Sequence, residues 1–223
     1  MDHGFAHASW EATFAARPFG KYPSEEAVRF FFATRSAVGS APSALDIGCG
    51  AGAVAWFLAR NGVRVTAMDG APSALVQLEA TLRDFGCPPV VSLLGDITQP
   101  RRHVAGPFDL LVDHYSLYAN HQVKLREALE AYRELLAPGG RFLCCLFGTG
   151  CTGAEAALRL DANTFTDFPA GVHRNTGIIT LWTQEEAENL LRACGFQVLY
   201  RERQLHDRNG VLTEKLIFHL AHP

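Results

Sequence analysis

Ala44-Leu45-Asp46-Ile47-Gly48-Cys49-Gly50-Ala51-Gly52 leads directly into Ala53-Val54-Ala55-Trp56-Phe57-Leu58-Ala59-Arg60-Asn61. An apolar strand-like run passes through a glycine-rich turn into a helix-like run. Glycine lets the backbone turn sharply and lets a ligand approach it closely. The start of the following helix presents N–H groups with no partner of their own, which suit a polar ligand.

Downstream the alternation continues. VRVTAMD is followed by SALVQLEATLRDFG, then PVVSLLGD, FDLLVDHY, VKLREALEAYRELLA and GGRFLCCLFG. Apolar strands separated by amphipathic helices predict a parallel sheet covered on both faces. Pro138-Gly139-Gly140 is a helix stop before the fifth strand. Thr183-Gln184-Glu185-Glu186 resembles a capping box and opens a helix to Cys194, which Gly195 ends. Phe196–Gln204 and Val211–Leu220 then read as two strands around the polar turn His206–Gly210, so the last two strands are expected to pair antiparallel. The predicted fold is α/β: a doubly wound, mostly parallel, seven-stranded Rossmann-like sheet with an antiparallel C-terminal hairpin.

Upstream, residues 5–17 predict a helix carrying Phe5, Trp10, Phe14 and Ala15, stopped by Arg17-Pro18-Phe19-Gly20. Ser24 caps a second helix with Glu25 and Glu26 in its first turn and Val28, Phe31 and Phe32 along it, ending near Gly39. Residues 1–40 are not needed to build the sheet, yet they carry too much aromatic surface to stay in water, and are expected to form a helical lid. Residues 41–223 form the main domain. Residues 148–182 lack periodicity, and a loop of that length in a compact domain points to a substrate-side insertion.

At 223 residues the chain suits one α/β domain with additions. A net charge of −3 without a basic stripe argues against nucleic acid as a partner. The start has no basic n-region and no apolar run reaches about 18 residues, so neither export nor a membrane span is expected, and the location is expected to be cytoplasmic. None of the six cysteines forms a C-x-x-C; the bland reading is buried thiols in a reducing compartment, with Cys144 and Cys145 on opposite faces of one strand. His114 and His121 are too sparsely accompanied to form a metal cage, and no metal is expected.

Asp69 ends the second strand about 20 residues after the glycine loop, as an acid that binds ribose hydroxyls does. Asp96 ends the third. Acids at the carboxyl ends of strands sit where open α/β sheets bind ligands. Gly48-x-Gly50-x-x-Ala53 followed by Asp69 also fits a loose dinucleotide fingerprint. Against it, Asp46 stands two residues before the first glycine, where an acid suits an ammonium better than a pyrophosphate. The C-terminal hairpin and the two leading helices favour S-adenosylmethionine as well.

ALDIGCGAGAVAWFLA, VTAMDG, LLGDI, FDLLVD and LLAPGGRF resemble, in order and spacing, the motifs of class I S-adenosylmethionine-dependent methyltransferases. The resemblance covers residues 41–147, and the flanks GKYPSEEAVRF, DANTFTDFPAG and LWTQEEAENLLRACGF resemble a bacterial branch acting on small molecules. It implies that Asp46 with Gly48, Gly50 and Gly52 holds the methionine moiety of S-adenosylmethionine. It implies that Asp69 takes the ribose, that Asp96 accepts from the adenine amino group with Ile97 against the ring, and that Asp113 lies near the methionyl ammonium or the acceptor. The chain departs from the family at Gly70, where an apolar side chain often packs on adenine.

Methyl transfer needs an acceptor held in line, water excluded and in some cases a base. His114, at the end of the fourth strand, is a candidate general base, with a packed or surface histidine as the bland alternative. Tyr22 is a candidate lid residue at the acceptor, with simple packing as the alternative. Trp10, Phe19, Tyr115, Tyr118, His121, Phe165, Phe168 and His173 are further candidate walls. No Asn-Pro-Pro-Tyr or Asp-Pro-Pro-Tyr run follows the fourth strand, which argues against nucleobase amino groups as acceptors. The expectation is therefore methyl transfer to a small molecule by a monomer or homodimer. An NAD(P)-dependent oxidoreductase and a non-catalytic S-adenosylmethionine- or nucleotide-binding regulatory protein are the alternatives.

Overall fold

The structure, a computed structural model, describes residues 8–223. Residues 1–7, which hold Phe5 of the expected first helix and the start of the expected lid, lie outside the described residues. Helix α1 (Ala8–Ala16) and helix α2 (Glu25–Thr34) precede the sheet. Ser24 caps α2, its side chain accepting from the Ala27 N–H at 3.2 Å. The helix ends at Thr34, five residues before Gly39, and its successor Arg35 still donates to Phe31.

Strands β1 (Ser43–Ile47), β2 (Arg64–Asp69), β3 (Val91–Leu94) and β4 (Phe108–His114) alternate with helices α3 (Ala53–Arg60), α4 (Pro72–Asp84) and α5 (Gln122–Leu135). Strand β5 (Leu136–Gly148) follows α5 without a gap. After the insertion come α6 (Gln184–Ala193), β9 (Gln197–Arg208) and β10 (Val211–Ala221). β1, β2, β3, β4 and β5 pair in parallel in the order β3-β2-β1-β4-β5. β10 joins the far side of β5 antiparallel and β9 pairs antiparallel with β10. These seven strands are the predicted sheet with its predicted hairpin. The hairpin turn is tighter than expected: β9 runs on to Arg208, and Asn209 and Gly210 make the turn at φ of 54° and 81°. Two consecutive residues at positive φ match the twist of paired strands.

The order of β1 against β2 and β4 reverses the winding, so helices cover both faces. Alternation assigns the side chains. Leu45, Ile47, Leu111, Phe142, Cys144 and Leu146 face one core with α5 and α6. Ala44, Leu110, Val112, Leu143 and Cys145 face the other with α2 and α3. Cys144 and Cys145 thus point to opposite faces, both fully buried. All six cysteines are free.

The expected insertion is not wholly irregular. Strands β6 (Leu158–Arg159), β7 (Thr164–Thr166) and β8 (Ile179–Trp182) form a small antiparallel set. β8 adds to the end of β5, pairing Phe147 with Leu181 and Gly148 with Trp182. This brings the insertion to the carboxyl end of the sheet. The predicted capping box is present: Thr183 and Glu186 satisfy each other's backbone N–H at the start of α6. Among the described residues, no helix is long and apolar enough to cross a membrane.

Candidate active site

β1 ends in the glycine loop, and the loop's conformation is set by two close approaches. Gly48 has φ of 64°, and a Cβ there would stand 2.3 Å from the Ser116 Cβ. Only glycine leaves room for the chain after β4 to cross the loop. A Cβ on Gly52 would stand 2.3 Å from Leu78 Cδ1 in α4. Gly52 therefore serves the packing of α3 on α4 rather than the cleft. The loop is pinned by Asp69, whose Oδ2 accepts from the Gly50 N–H at 2.9 Å while Oδ1 accepts from the Ala71 N–H at 2.8 Å.

Above the loop lies a cleft enclosing about 570 Å³ of empty space that is partly open to solvent. Gly48, Asp69, Gly70 and Ile97 line one part of it, and Tyr115, Ser116, Ala119 and Asn120 another. Trp10 and Phe14 of α1 cover it. The open α/β sheet has its ligand cleft where the order of strands reverses, at the carboxyl ends of β1 and β4.

Three carboxylates gather at the carboxyl ends of β1, β2 and β4: Asp69 lines the cleft, and Asp46 and Asp113 are buried without lining it. Asp46 is buried, one of its oxygens has no partner, and burial followed by repulsion from Asp69 pushes it up to about 8. Asp113 is fully buried, and burial pushes it up to about 6 against hydrogen bonds from Ser116 and Leu117. Its Oδ1 accepts from the Ser116 N–H at 2.9 Å, the Ser116 hydroxyl at 2.6 Å and the Leu117 N–H at 3.1 Å. Burial also raises Asp69, opposed by the backbone donors of Ala71 and Gly50. The main influences on these acids are burial, other carboxylates and hydrogen bonds, with no cation among them. A ligand bringing positive charge to this cluster removes the penalty of ionising them.

The other sequence candidates are placed differently. Asp96 is buried, but its Oδ1 accepts from the Thr98 N–H and hydroxyl at 2.8 and 2.7 Å and its Oδ2 from Gln99 at 2.8 Å. Its backbone N–H donates to His103 Nε2 at 3.1 Å. It braces the loop after β3 and does not line the cleft, whereas Ile97 does. His114 lies behind the cleft wall, its Nε2 4.0 Å from Glu26 Oε2. Burial pushes it down to about 4, partly offset by Glu26, so the ring is neutral at pH 7. Tyr22 is 77% exposed and meets Phe85, beyond the last turn of α4. Neither Tyr22 nor Phe85 lines the cleft.

Sequence reading missed Ser116, whose hydroxyl lies between Asp113 Oδ1 and the Ile47 carbonyl, 2.6 and 2.5 Å away, and so ties β1 to the turn after β4. It missed Asn120 and the pair of buried Glu26 with half-buried Lys215, joined at 2.9 Å. Burial raises Glu26, but Lys215's hydrogen bond and charge, with further hydrogen bonds, outweigh it and hold the acid at about 2. The same ammonium lies 5.1 Å over the Tyr115 ring. No local signal marks these residues; each depends on a partner distant in the chain. Among the described residues, no group of three or more His, Cys, Asp or Glu could hold a metal ion.

Residues 44–140 match the family described as a methyltransferase domain. No curated protein sequence matches the chain. Its fold is similar to a S-adenosylmethionine-dependent methyltransferase from Methanosarcina mazei, with a TM-score of 0.70 and 17% identity over 85% of this chain and 96% of that one. It is similar to the 1,6-didemethyltoxoflavin-N1-methyltransferase of Burkholderia thailandensis, solved with its substrate and S-adenosylhomocysteine (TM-score 0.66, 18% identity, 96% and 88% covered). It is similar to the N-methyltransferase NodS of Bradyrhizobium japonicum with S-adenosylhomocysteine (TM-score 0.66, 20% identity, 96% and 99% covered). Residues 44–140 thus match a methyltransferase domain, and the fold is that of S-adenosylmethionine-dependent methyltransferases. The residues present fit S-adenosylmethionine. The unpartnered, buried oxygen of Asp46 and the neighbouring carboxylates match a ligand with an ammonium, and Gly48 and Gly70 line the cleft.

Proposed function

We propose that this chain, whose residues 44–140 match the methyltransferase domain family, transfers the methyl group of S-adenosylmethionine to a small-molecule acceptor. The observation that carries the reading is the cluster of Asp69, which lines the cleft, with buried Asp46 and Asp113, no cation being among the main influences on them. When bound, the cofactor supplies a methyl group on a sulfonium, an electrophile that needs only a positioned lone pair. Asp69 and the glycine loop hold the ribose and methionine parts, and Ile97 meets the adenine. Asp46 and Asp113 favour the ammonium end. Trp10 and Phe14 exclude water from above, and Tyr115 and Asn120 form the side open to the acceptor. The tyrosine nearest the chemistry is Tyr115 rather than Tyr22. His114 acts as a neutral base or as a positioning group behind Tyr115, whose ring centroid is 4.8 Å from its own.

A small acceptor is supported by the likeness to a methyltransferase solved with 1,6-didemethyltoxoflavin bound. Calorimetry with S-adenosylhomocysteine and with NAD tests the cofactor. Tight binding of the first and none of the second is the expected result, and the reverse overturns the proposal. Turnover of radiolabelled methyl groups onto a panel of small acceptors separates an enzyme from a binding protein. No transfer to any compound of an exhaustive panel would leave the binding protein as the better reading.

A further inference from the structure

β9 ends the sheet on the side away from β3, and one of its edges is open. β10 runs antiparallel along one side of it from Gln197 to Arg208. Among the described residues, no strand pairs with the other side. An open edge presents a row of backbone N–H and C=O groups to any strand that approaches it.

The end of this strand also stands clear of the body of the sheet. β10 meets β5 only from Lys215, opposite Phe147, but meets β9 from Val211, opposite Arg208. Leu205–Arg208 and Val211–Glu214 therefore form a two-stranded ribbon at the carboxyl end of β5. The insertion closes the β10 side of the ribbon: the Thr152 N–H donates to the Leu212 carbonyl at 3.0 Å, and the Thr152 hydroxyl accepts from the Leu212 N–H at 2.8 Å. The β9 side has no such cover. Leu205, His206, Asp207 and Arg208 are all exposed. Consecutive residues of a strand point to opposite faces, so neither face of this stretch is covered. A two-stranded ribbon has little stability of its own in water.

Charged side chains commonly guard an open edge. Here partners within the chain hold them back. Arg201 pairs with Glu188 of α6, Glu202 with Arg29 of α2 at 2.6 Å, and Arg203 through Nε with Glu214 of β10. The sequence of the strand is also complementary to itself. Two copies paired antiparallel about a two-fold axis set residues opposite each other at equal distances from a central residue. Centring on Arg201, Glu202 or Arg203 sets a charge opposite its own copy. Centring on Gln204 sets Leu205 opposite Arg203. Centring on Leu205 sets that leucine on its copy, Gln204 opposite His206, Arg203 opposite Asp207 and Glu202 opposite Arg208, with no like charges opposed. Directly opposed apolar residues and opposite charges favour pairing, and like charges oppose it.

We propose that the chain forms a homodimer through β9, with residues 202–208 of two copies paired antiparallel and Leu205 at the two-fold axis. The two sheets then run on as one, and each ribbon gains the neighbouring strands it lacks. The partner is a second copy of this chain, and the interface stands apart from the methyltransferase reading.

Sedimentation of the full chain from about 1 to 100 µM tests the dimer, since small interfaces dissociate in this range. The mass is expected to rise from 24.4 kDa toward twice that value, and amide exchange at residues 202–208 to slow as concentration rises. Leu205→Lys sets two ammonium groups on the axis, and Arg208→Glu sets a carboxylate opposite Glu202. Each is expected to remain a monomer over the same range with an unchanged circular dichroism spectrum. Val91→Lys changes an exposed residue of β3 at the other end of the sheet and is expected to leave the dimer intact. If Leu205→Lys does not fold, Arg208→Glu and the exchange data decide. A parent chain that stays monomeric throughout, a dimer that survives the folded β9 variants, or one that Val91→Lys dissociates overturns the proposal.

Discussion

Glu11 of α1 grips Ser73 of α4 at both of its polar groups: one carboxylate oxygen accepts from the Ser73 N–H at 3.1 Å and the other from the Ser73 hydroxyl at 2.6 Å. Ser73 lies in the first turn of α4, where free N–H groups and the helix dipole favour an anion. Gln77, one turn on, donates to the Phe14 and Arg17 carbonyls at 2.7 and 2.9 Å and accepts from the Phe19 N–H at 2.9 Å. α1 is thus latched along the helix that follows Asp69, with Trp10 and Phe14 over the cleft.

If α1 is a lid, Glu11→Ala weakens S-adenosylhomocysteine binding by about 0.5–1.5 kcal/mol, the contribution of such hydrogen bonds, or about two- to thirteenfold. Hydrogen exchange across residues 10–25 of the parent chain is expected to slow when S-adenosylhomocysteine binds. Equal protection in both states would mean that α1 is a static packing helix.

Asp46, held at about 8 by burial and by Asp69, predicts opposite pH trends for the empty and the liganded protein. The unfolded chain loses this proton near 4, so between about pH 4 and 8 the folded state binds more protons and the stability of the ligand-free protein falls as pH rises. The ammonium of S-adenosylhomocysteine favours ionised Asp46, so affinity rises over the upper part of that window. Asp46→Asn mimics the protonated acid. Thermal melting of this variant is expected to vary less between pH 5 and 8, and calorimetry to show binding at least tenfold weaker, roughly 1.4 kcal/mol. Parallel pH curves for variant and parent would reject the assignment.

Two glycines of one loop are expected to fail in different ways. Gly48→Ala drives a methyl group into Ser116 at the cleft, so S-adenosylhomocysteine binding is lost along with some stability. Gly52→Ala meets Leu78 between α3 and α4, away from the lining, and is expected to lower the melting temperature while the folded fraction still binds. Binding and melting measured on both variants separate the two roles; loss of binding by Gly52→Ala at a temperature where it is fully folded counts against the distinction.

Asp69 and Tyr22 form the sharpest contrast among the sequence candidates. Asp69→Ala is expected to weaken cofactor binding by at least ~1.5 kcal/mol, as removal of a charged hydrogen-bond acceptor does. Tyr22→Ala, at an exposed ring outside the cleft lining, is expected to leave both cofactor affinity and methyl transfer within twofold of the parent. A Tyr22→Ala variant with a tenfold lower turnover would return that residue to the site.

The alternation of strands and helices, the glycine loop, the capped helices and the C-terminal hairpin were legible because each rests on local chemistry. Period-2 and period-3.6 patterns mark buried faces, Ser24 and Thr183 mark helix starts, and Asn209-Gly210 marks a turn. The acids at strand ends were legible for the same reason: β1, β2 and β4 fix where Asp46, Asp69 and Asp113 must stand. The insertion was legible only as a break in periodicity. Its strands β6, β7 and β8 are two to four residues long, too short to show a pattern.

The sequence by itself determined the scaffold and the acids beneath the cleft. Only the tertiary structure decided which aromatic and polar side chains share that cleft. It left Tyr22 outside and turned Asp96 into a brace for its own loop. It also joined residues the chain keeps far apart, such as Ser116 to the Ile47 carbonyl and Lys215 to Glu26. The physical reason is that burial periodicity follows from the backbone of a single element. Contacts between elements depend on how whole helices and strands pack, and no short window of residues carries that information.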